Sequence, residues 1–175
     1  STLMANDHAH YLVCSDAGYG FVGQFSDMVS RNKNGKALLS LPKGAQVMVP
    51  QAVGDLTADN CLAITNEGRM LLFPVSSLPQ LSKGKGNKII SIPSARVLSR
   101  EEFVTQICIV PDGASVTLFA GKRKLTLKPN DLEHYTGERG RRGNKLPRGL
   151  QRVDSIIIEA MDDGANHETP AFVSE

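Results

Sequence analysis

A chain of 175 residues can fold around one continuous core, and 41% hydrophobic residues with 5% aromatics and no Trp make that core one of Leu, Ile and Val. No run approaches the ~18 uninterrupted apolar residues of a membrane-spanning helix, and residues 1–10 lack the basic and apolar regions of a secretory signal, so they read as a linker or cut end. The formal charge of +2 hides an asymmetry, because Glu159, Asp162, Asp163, Glu168 and Glu175 close the chain without a Lys or Arg and leave +7 on the remainder, a balance that suits a polyanion partner with an acidic internal competitor.

In chain order, alternating apolar residues and β-branched enrichment predict strands at 11–14, 20–25, 37–41 and 47–53. The plan recurs at 61–65, 69–73, 88–92 and 104–110, and again at 115–119, 124–128 and 153–159. Between the first two strands of the copies lie Asp16-Ala17-Gly18, Asn66-Glu67-Gly68 and Ala120-Gly121, turn sequences in which Gly supplies a positive φ. Helix is nearly absent: Ser99 and Glu102 have capping-box spacing but room for only one turn. Beyond residue 158, low hydrophobicity without a period predicts an acidic, disordered tail over 159–175.

A period of roughly 50 residues built from short strands marks a bladed β architecture. The expected fold is therefore all-β, with about three blades at 11–53, 60–110 and 115–158. Closed propellers need about four to eight blades, so the expectation is part of a larger open or broken disc.

Each hairpin leads into a glycine-rich basic loop: RNKNGKA, LSKGKGNK and GERGRRGNK. Arg31, Lys33 and Lys36 belong to the first, Lys83, Lys85 and Lys88 to the second, and Arg139, Arg141, Arg142 and Lys145 to the third. Glycine removes side-chain bulk, so backbone N–H groups and neighbouring cations can both approach a phosphate. Recurrence at matched positions favours a polyanion track over solvated loop charges. Lys122, Arg123 and Lys124, at the third hairpin, read equally as further phosphate contacts or as lysines guarding an edge strand against pairing.

Nothing in the sequence reads as catalytic. Cys14, Cys61 and Cys108 are odd in number, form no Cys-x-x-Cys pair and lie in apolar strand runs, so they read as buried small hydrophobes of a reducing compartment. His8, His10, His134 and His167 are scattered without a carboxylate or thiol cluster, which predicts no metal site. No Ser-His-Asp set, nucleophile elbow or P-loop is visible.

The run LAITNEGRMLLFPVSSLPQLSKGKGNKIISIP, followed by FAGKRKLTLKP and TGERGRRGNKLPRGLQRVD, resembles the C-terminal region of the gyrase and topoisomerase IV A-subunit family, nearer to the topoisomerase IV branch. The resemblance covers roughly 11–158 and implies the family's β-pinwheel, a propeller-like disc whose blades exchange strands. It implies binding and bending of duplex DNA for a bacterial type IIA topoisomerase that decatenates chromosomes and relaxes supercoils. The implied partners are duplex DNA, a second A subunit, a topoisomerase IV B subunit and a condensin-type hinge, the last being the alternative, protein-docking reading. The implied location is the cytoplasm, at the nucleoid. This part of the family uses no cofactor of its own; ATP and Mg2+ act through other domains or subunits, as do the cleavage tyrosine and its partner arginine. None of the three basic loops has the full glutamine-led box of gyrase; Arg139-Gly140-Arg141-Arg142-Gly143 comes nearest. The implied role is bending without gyrase-type wrapping.

Overall fold

The computed structural model describes residues 9–24, 26 and 39–160. Eleven strands lie among them: β1 His10–Cys14, β2 Tyr19–Gln24, β3 Gln51–Val53, β4 Asn60–Thr65, β5 Arg69–Pro74, β6 Asn87–Lys88, β7 Val104–Val110, β8 Ser115–Ala120, β9 Arg123–Leu127, β10 Asn144–Lys145 and β11 Ser155–Glu159. They form three antiparallel sheets in the orders β3-β1-β2-β6, β10-β5-β4-β7 and β11-β8-β9. The fold is all-β, of pinwheel type, with three blades that do not close into a ring.

Alternation along the middle sheet explains how the blades stack. Cys61 and Ala63 of β4, with Leu71 and Phe73 of β5, face a core shared with Leu12, Cys14 and Val22 of the first sheet and with Ile89 and Ile90. Their neighbours Leu62, Ile64, Met70 and Leu72 face the opposite way, into a core shared with Val116, Leu118 and Leu127 of the third sheet. A sheet buried on both faces needs apolar residues at successive positions, which is why CLAI and MLLF read as unbroken apolar runs. The third sheet is covered on one face only. In β8, Val116, Leu118 and Ala120 are buried while the intervening residues are partly exposed.

The sequence expectation that 88–92 is the third strand of the second repeat is corrected. Only Asn87–Lys88 are strand, and they pair with the first sheet, with Tyr19 opposite Lys88 and Gly20 opposite Asn87. The equivalent Asn144–Lys145 of the third repeat pairs with the second sheet, Arg69 opposite Lys145 and Met70 opposite Asn144. The two exchanges are built alike. Ile89 N–H donates to Gly18 O at 2.6 Å, and Leu146 N–H donates to Gly68 O at 2.8 Å. Just upstream, Val22 bridges Gln80 and Leu72 bridges Thr136, both in parallel.

The helical turn is also displaced from its expected place. A five-residue helix spans Ser94–Leu98, before Ser99, and Arg100 follows in the left-handed region with φ +63°. Strand β3 is shorter than the expected 47–53, with only an isolated bridge from Val47 to Ser15 ahead of it. Strand β1 takes in His10 and β11 takes in Glu159, while the expected strand at 37–41 is described only from Leu39 and the tail only to Ala160.

The three cysteines pack as apolar groups, Cys14 and Cys61 buried and Cys108 half-buried. Burial pushes the Cys14 and Cys108 thiols up to about 12 and raises Cys61 as well, so none is a thiolate at neutral pH.

Two glycines of the basic loops are required by this exchange. Gly86 and Gly143 both have positive φ, and a Cβ at Gly143 would lie 2.6 Å from Met70 O, while one at Gly86 would collide with the Gly20 carbonyl. Gly121 also has positive φ, but a Cβ there would meet nothing within 4 Å. Gly143→Ala is therefore expected to destabilise by about 3 kcal/mol or more, combining the left-handed cost of roughly 1–2 kcal/mol with displacement of the exchanged strand. Gly121→Ala is expected to cost only the former, about 1–2 kcal/mol. Urea midpoints of the two variants check this, and equal losses would mean the close approach at Gly143 carries no cost.

Candidate nucleic-acid interface

The exchanged segments carry the basic loops, so the cations named from sequence fall around the seams between sheets. Arg31, Lys33 and Lys36 lie outside the described residues. Lys83, Lys85, Lys88, Lys122, Arg123, Lys124 and Lys145 are all exposed, and among the described residues none forms an ion pair. Lys85 places its Nζ 4.3 Å from the Tyr19 ring centroid, a cation–π contact that narrows the space the ammonium samples. Lys122–Lys124 surround the hairpin from β8 to β9, whose outer edge has no fourth strand among the described residues. Both sequence readings of those lysines fit that position.

The third loop divides into surface and structural cations. Arg141 is exposed and paired with Glu138 at 3.2 Å. Arg139 turns inward, donating from Nε to Ser77 O at 2.9 Å and from Nη1 to Lys88 O at 2.8 Å. Arg142 donates from Nη1 to Ser91 O at 3.0 Å and reaches both carboxylate oxygens of Glu102, Nη1 to Oε2 at 2.9 Å and Nη2 to Oε1 at 2.5 Å. Backbone bonds tighten the same seam, from Gly140 N–H to Ile89 O and from Ser91 N–H to Arg141 O, both at 2.9 Å. Of the nearest approach to a gyrase-type box, Arg139 and Arg142 are thus engaged internally and Arg141 faces solvent.

Glu102 is the anchor of this arrangement. Its side chain has no exposure, and Arg96 adds a third bond at 3.3 Å. Burial by itself would raise the Glu102 carboxyl, but bonds from Arg142, Thr65 and Arg96 outweigh it and hold it below the ordinary value. A buried carboxylate with a bidentate arginine is stable only because both partners are present. A second clamp, Arg100 Nη2 to Asp16 Oδ2 at 2.9 Å, ties the residues after the helix to the first hairpin.

A groove of about 680 Å³ opens beside the second loop, with Lys43, Lys85, Lys88 and Arg142 on its rim and Ile92 and Val97 on its floor. Lys43 was not among the residues singled out from sequence. The signal was present: Leu41-Pro42-Lys43-Gly44-Ala45-Gln46 recurs as Leu146-Pro147-Arg148-Gly149-Leu150-Gln151.

A sequence model described as the DNA gyrase C-terminal domain, beta-propeller, matches residues 59–106. The chain is 59% identical over 157 residues to the A subunit of DNA topoisomerase 4 from Pseudomonas aeruginosa and 54% identical over 158 residues to that from Escherichia coli K12, in each case across 90% of this chain. The solved E. coli ParC C-terminal domain superposes with a TM-score of 0.84 at 53% identity, covering 91% of this chain and 64% of that one. The chain belongs to the C-terminal-domain family of the gyrase and topoisomerase IV A subunits. It spans about a fifth of the length of the curated relatives, 21% in both cases. A solved DNA gyrase A C-terminal domain, 13% identical with a TM-score of 0.66 over 90% of this chain, shares the fold.

Within that family fold, the Glu102 clamp has a pH signature. A carboxyl whose folded pKa is depressed contributes stability that is fully present above its ordinary value, here 4.5, and is lost as the pH falls through the lower folded value. Glu102→Gln, which leaves Arg142 without a carboxylate partner and Arg96 with only Glu67 and Glu101, is expected to cost about 2 kcal/mol at pH 7. The gap between wild type and variant, followed by urea denaturation, is expected to close progressively below pH 4.5. A gap that stays constant down to pH 3 would show that the Glu102 charge is not what holds the seam.

Proposed function

We propose that this chain is the DNA-binding and DNA-bending part of a topoisomerase IV A subunit, guiding duplex for decatenation and supercoil relaxation during chromosome segregation. The observation that carries the reading is the set of exposed cations Lys83, Lys85, Lys88, Lys122, Arg123, Lys124 and Lys145, none of which pairs with a carboxylate among the described residues. Cations at successive seams define a curved line of positive potential, and duplex following it must bend, at a cost of a few kcal/mol that phosphate contacts offset. Lysines and arginines on phosphates position a duplex without reading its bases. Base specificity is accordingly slight in this reading.

In the parent protein, two B subunits and a second A subunit complete the enzyme, and the whole acts in the cytoplasm at the nucleoid. ATP and Mg2+ act in those other parts; the described residues bring no three His, Cys, Asp or Glu side chains together as a metal seat. No helix among the described residues is long and apolar enough to cross a membrane. The condensin-type docking reading has no observation of its own in its favour here.

Fluorescence anisotropy with duplex DNA across a salt series tests the reading. About five phosphate contacts give a log–log slope near −4 to −5. Reversing Lys83, Lys85, Lys88 and Lys145 to Glu is expected to abolish binding while lowering Tm only slightly, since none of the four makes an ion pair in the fold and only Lys85 gives up a cation–π contact, worth about 0.5–1 kcal/mol. Wild-type binding that is absent at low salt, or unchanged in that variant, would overturn the assignment. Arg142→Ala is expected to behave differently, lowering stability by about 3 kcal/mol because buried Glu102 loses its bidentate partner and keeps only the longer contact from Arg96 at 3.3 Å and the bond from Thr65.

A further inference from the structure

The three repeats place the same short turn at matched positions, in the second and third just after the exchanged strand, and its chemistry alternates. Ala45 N–H donates to Pro42 O at 3.0 Å, Arg96 N–H to Pro93 O at 2.9 Å and Leu150 N–H to Pro147 O at 2.9 Å. In the first and third turns the third residue is a glycine with φ +85° and +90°, as a type II turn requires. The residue before it is Lys43 or Arg148, both exposed. The middle turn has Ala95 in place of the glycine and Ser94 in place of the cation, and continues into the helix Ser94–Leu98. Its one cation, Arg96, is engaged with Glu67, Glu101 and Glu102.

Each cationic turn sits beside a different group of free cations. Lys43 shares the 680 Å³ groove with Lys85 and Lys88, and no residue lining that groove is acidic. Lys85 is already steadied over Tyr19, which lines the same groove. The turn of Arg148 packs on the stem of Arg123: a Cβ at Gly149 would be 2.8 Å from Arg123 Cδ. That brings the third turn to the Lys122–Lys124 hairpin.

We propose that these proline–cation–glycine turns are a second rank of phosphate-binding elements, Lys43 completing one seat with Lys85 and Lys88, and Arg148 completing another with Arg123. The inference rests on the DNA-binding reading above and adds residues outside the three glycine-rich loops. Rigid turns suit this role because a type II turn fixes the backbone from which the cation projects, so less conformational entropy is lost when a phosphate is held. The alternation predicts contacts at the first and third blades and none from the middle turn.

The test is a salt series on duplex complexes of the whole chain, comparing wild type with Lys43→Ala, Arg148→Ala and the double variant. Each loss of one phosphate contact is expected to flatten the log–log slope by about 0.9, and the double variant by about 1.8, with Tm unchanged. Acetylation footprinting gives a second readout, in which duplex is expected to protect Lys43 together with Lys85 and Lys88. Wild-type binding with slopes unchanged in all three variants, or Lys43 as reactive with DNA as without it, would overturn this inference while leaving the loop assignment standing. Wild type that binds no duplex at any salt would remove both.

Discussion

A two-stranded hairpin leaves the outer edge of its second strand with unpaired N–H and C=O groups, and the rest of this fold follows from how that edge is covered. The chain supplies the missing strand from the repeat that comes next: Asn87–Lys88 onto β2 and Asn144–Lys145 onto β5. The exchange satisfies the edge, which would otherwise invite pairing with other chains. It also forces consecutive sheets to share a core, because Ile89, Ile90 and Leu146 continue from the exchanged strands into the buried clusters. Remove the exchange and the middle sheet loses its claim to two buried faces.

The same segment that crosses to the neighbouring sheet is the one rich in lysine, arginine and glycine, and this decides the fate of each cation. Where the chain turns inward at the seam, Arg139 and Arg142 are drawn onto backbone carbonyls and the buried Glu102 carboxylate. Where it runs along the surface, Lys83, Lys88 and Lys145 remain solvated. Glycine serves the crossing before it serves any ligand, since Gly86 and Gly143 sit where a Cβ would strike the neighbouring strand. A basic box read as one functional unit is therefore part seam and part surface. Two of its three arginines are engaged internally, so this segment presents less free charge than its composition suggests.

Much of this was legible beforehand. The hairpins at Gly18, Gly68 and Gly121, the repeat near 50 residues and the inert cysteines follow from local patterns, because a tight reversal demands particular residues wherever it occurs. The long matching stretches pointed to the family. The Pro-Lys-Gly and Pro-Arg-Gly turns were also present in the text of the sequence, but they fall outside the glycine-rich runs and pass for ordinary loop residues until the structure shows them closing the same hydrogen bond.

By itself, then, the sequence determined the strand segments, the repeat and the basic character of the loops, all of which depend on neighbours within a few residues. Tertiary structure alone decided which sheet each short strand joins and which cations are free. Asn87–Lys88 carries no local mark of its partner, because a two-residue strand is specified by the edge it meets. Nor does Arg142 differ from Arg141 in any local property. One faces Glu102, forty residues upstream and buried, and the other faces water. Burial and pairing are properties of position in space, and the chain fixes them only when its repeats interlock.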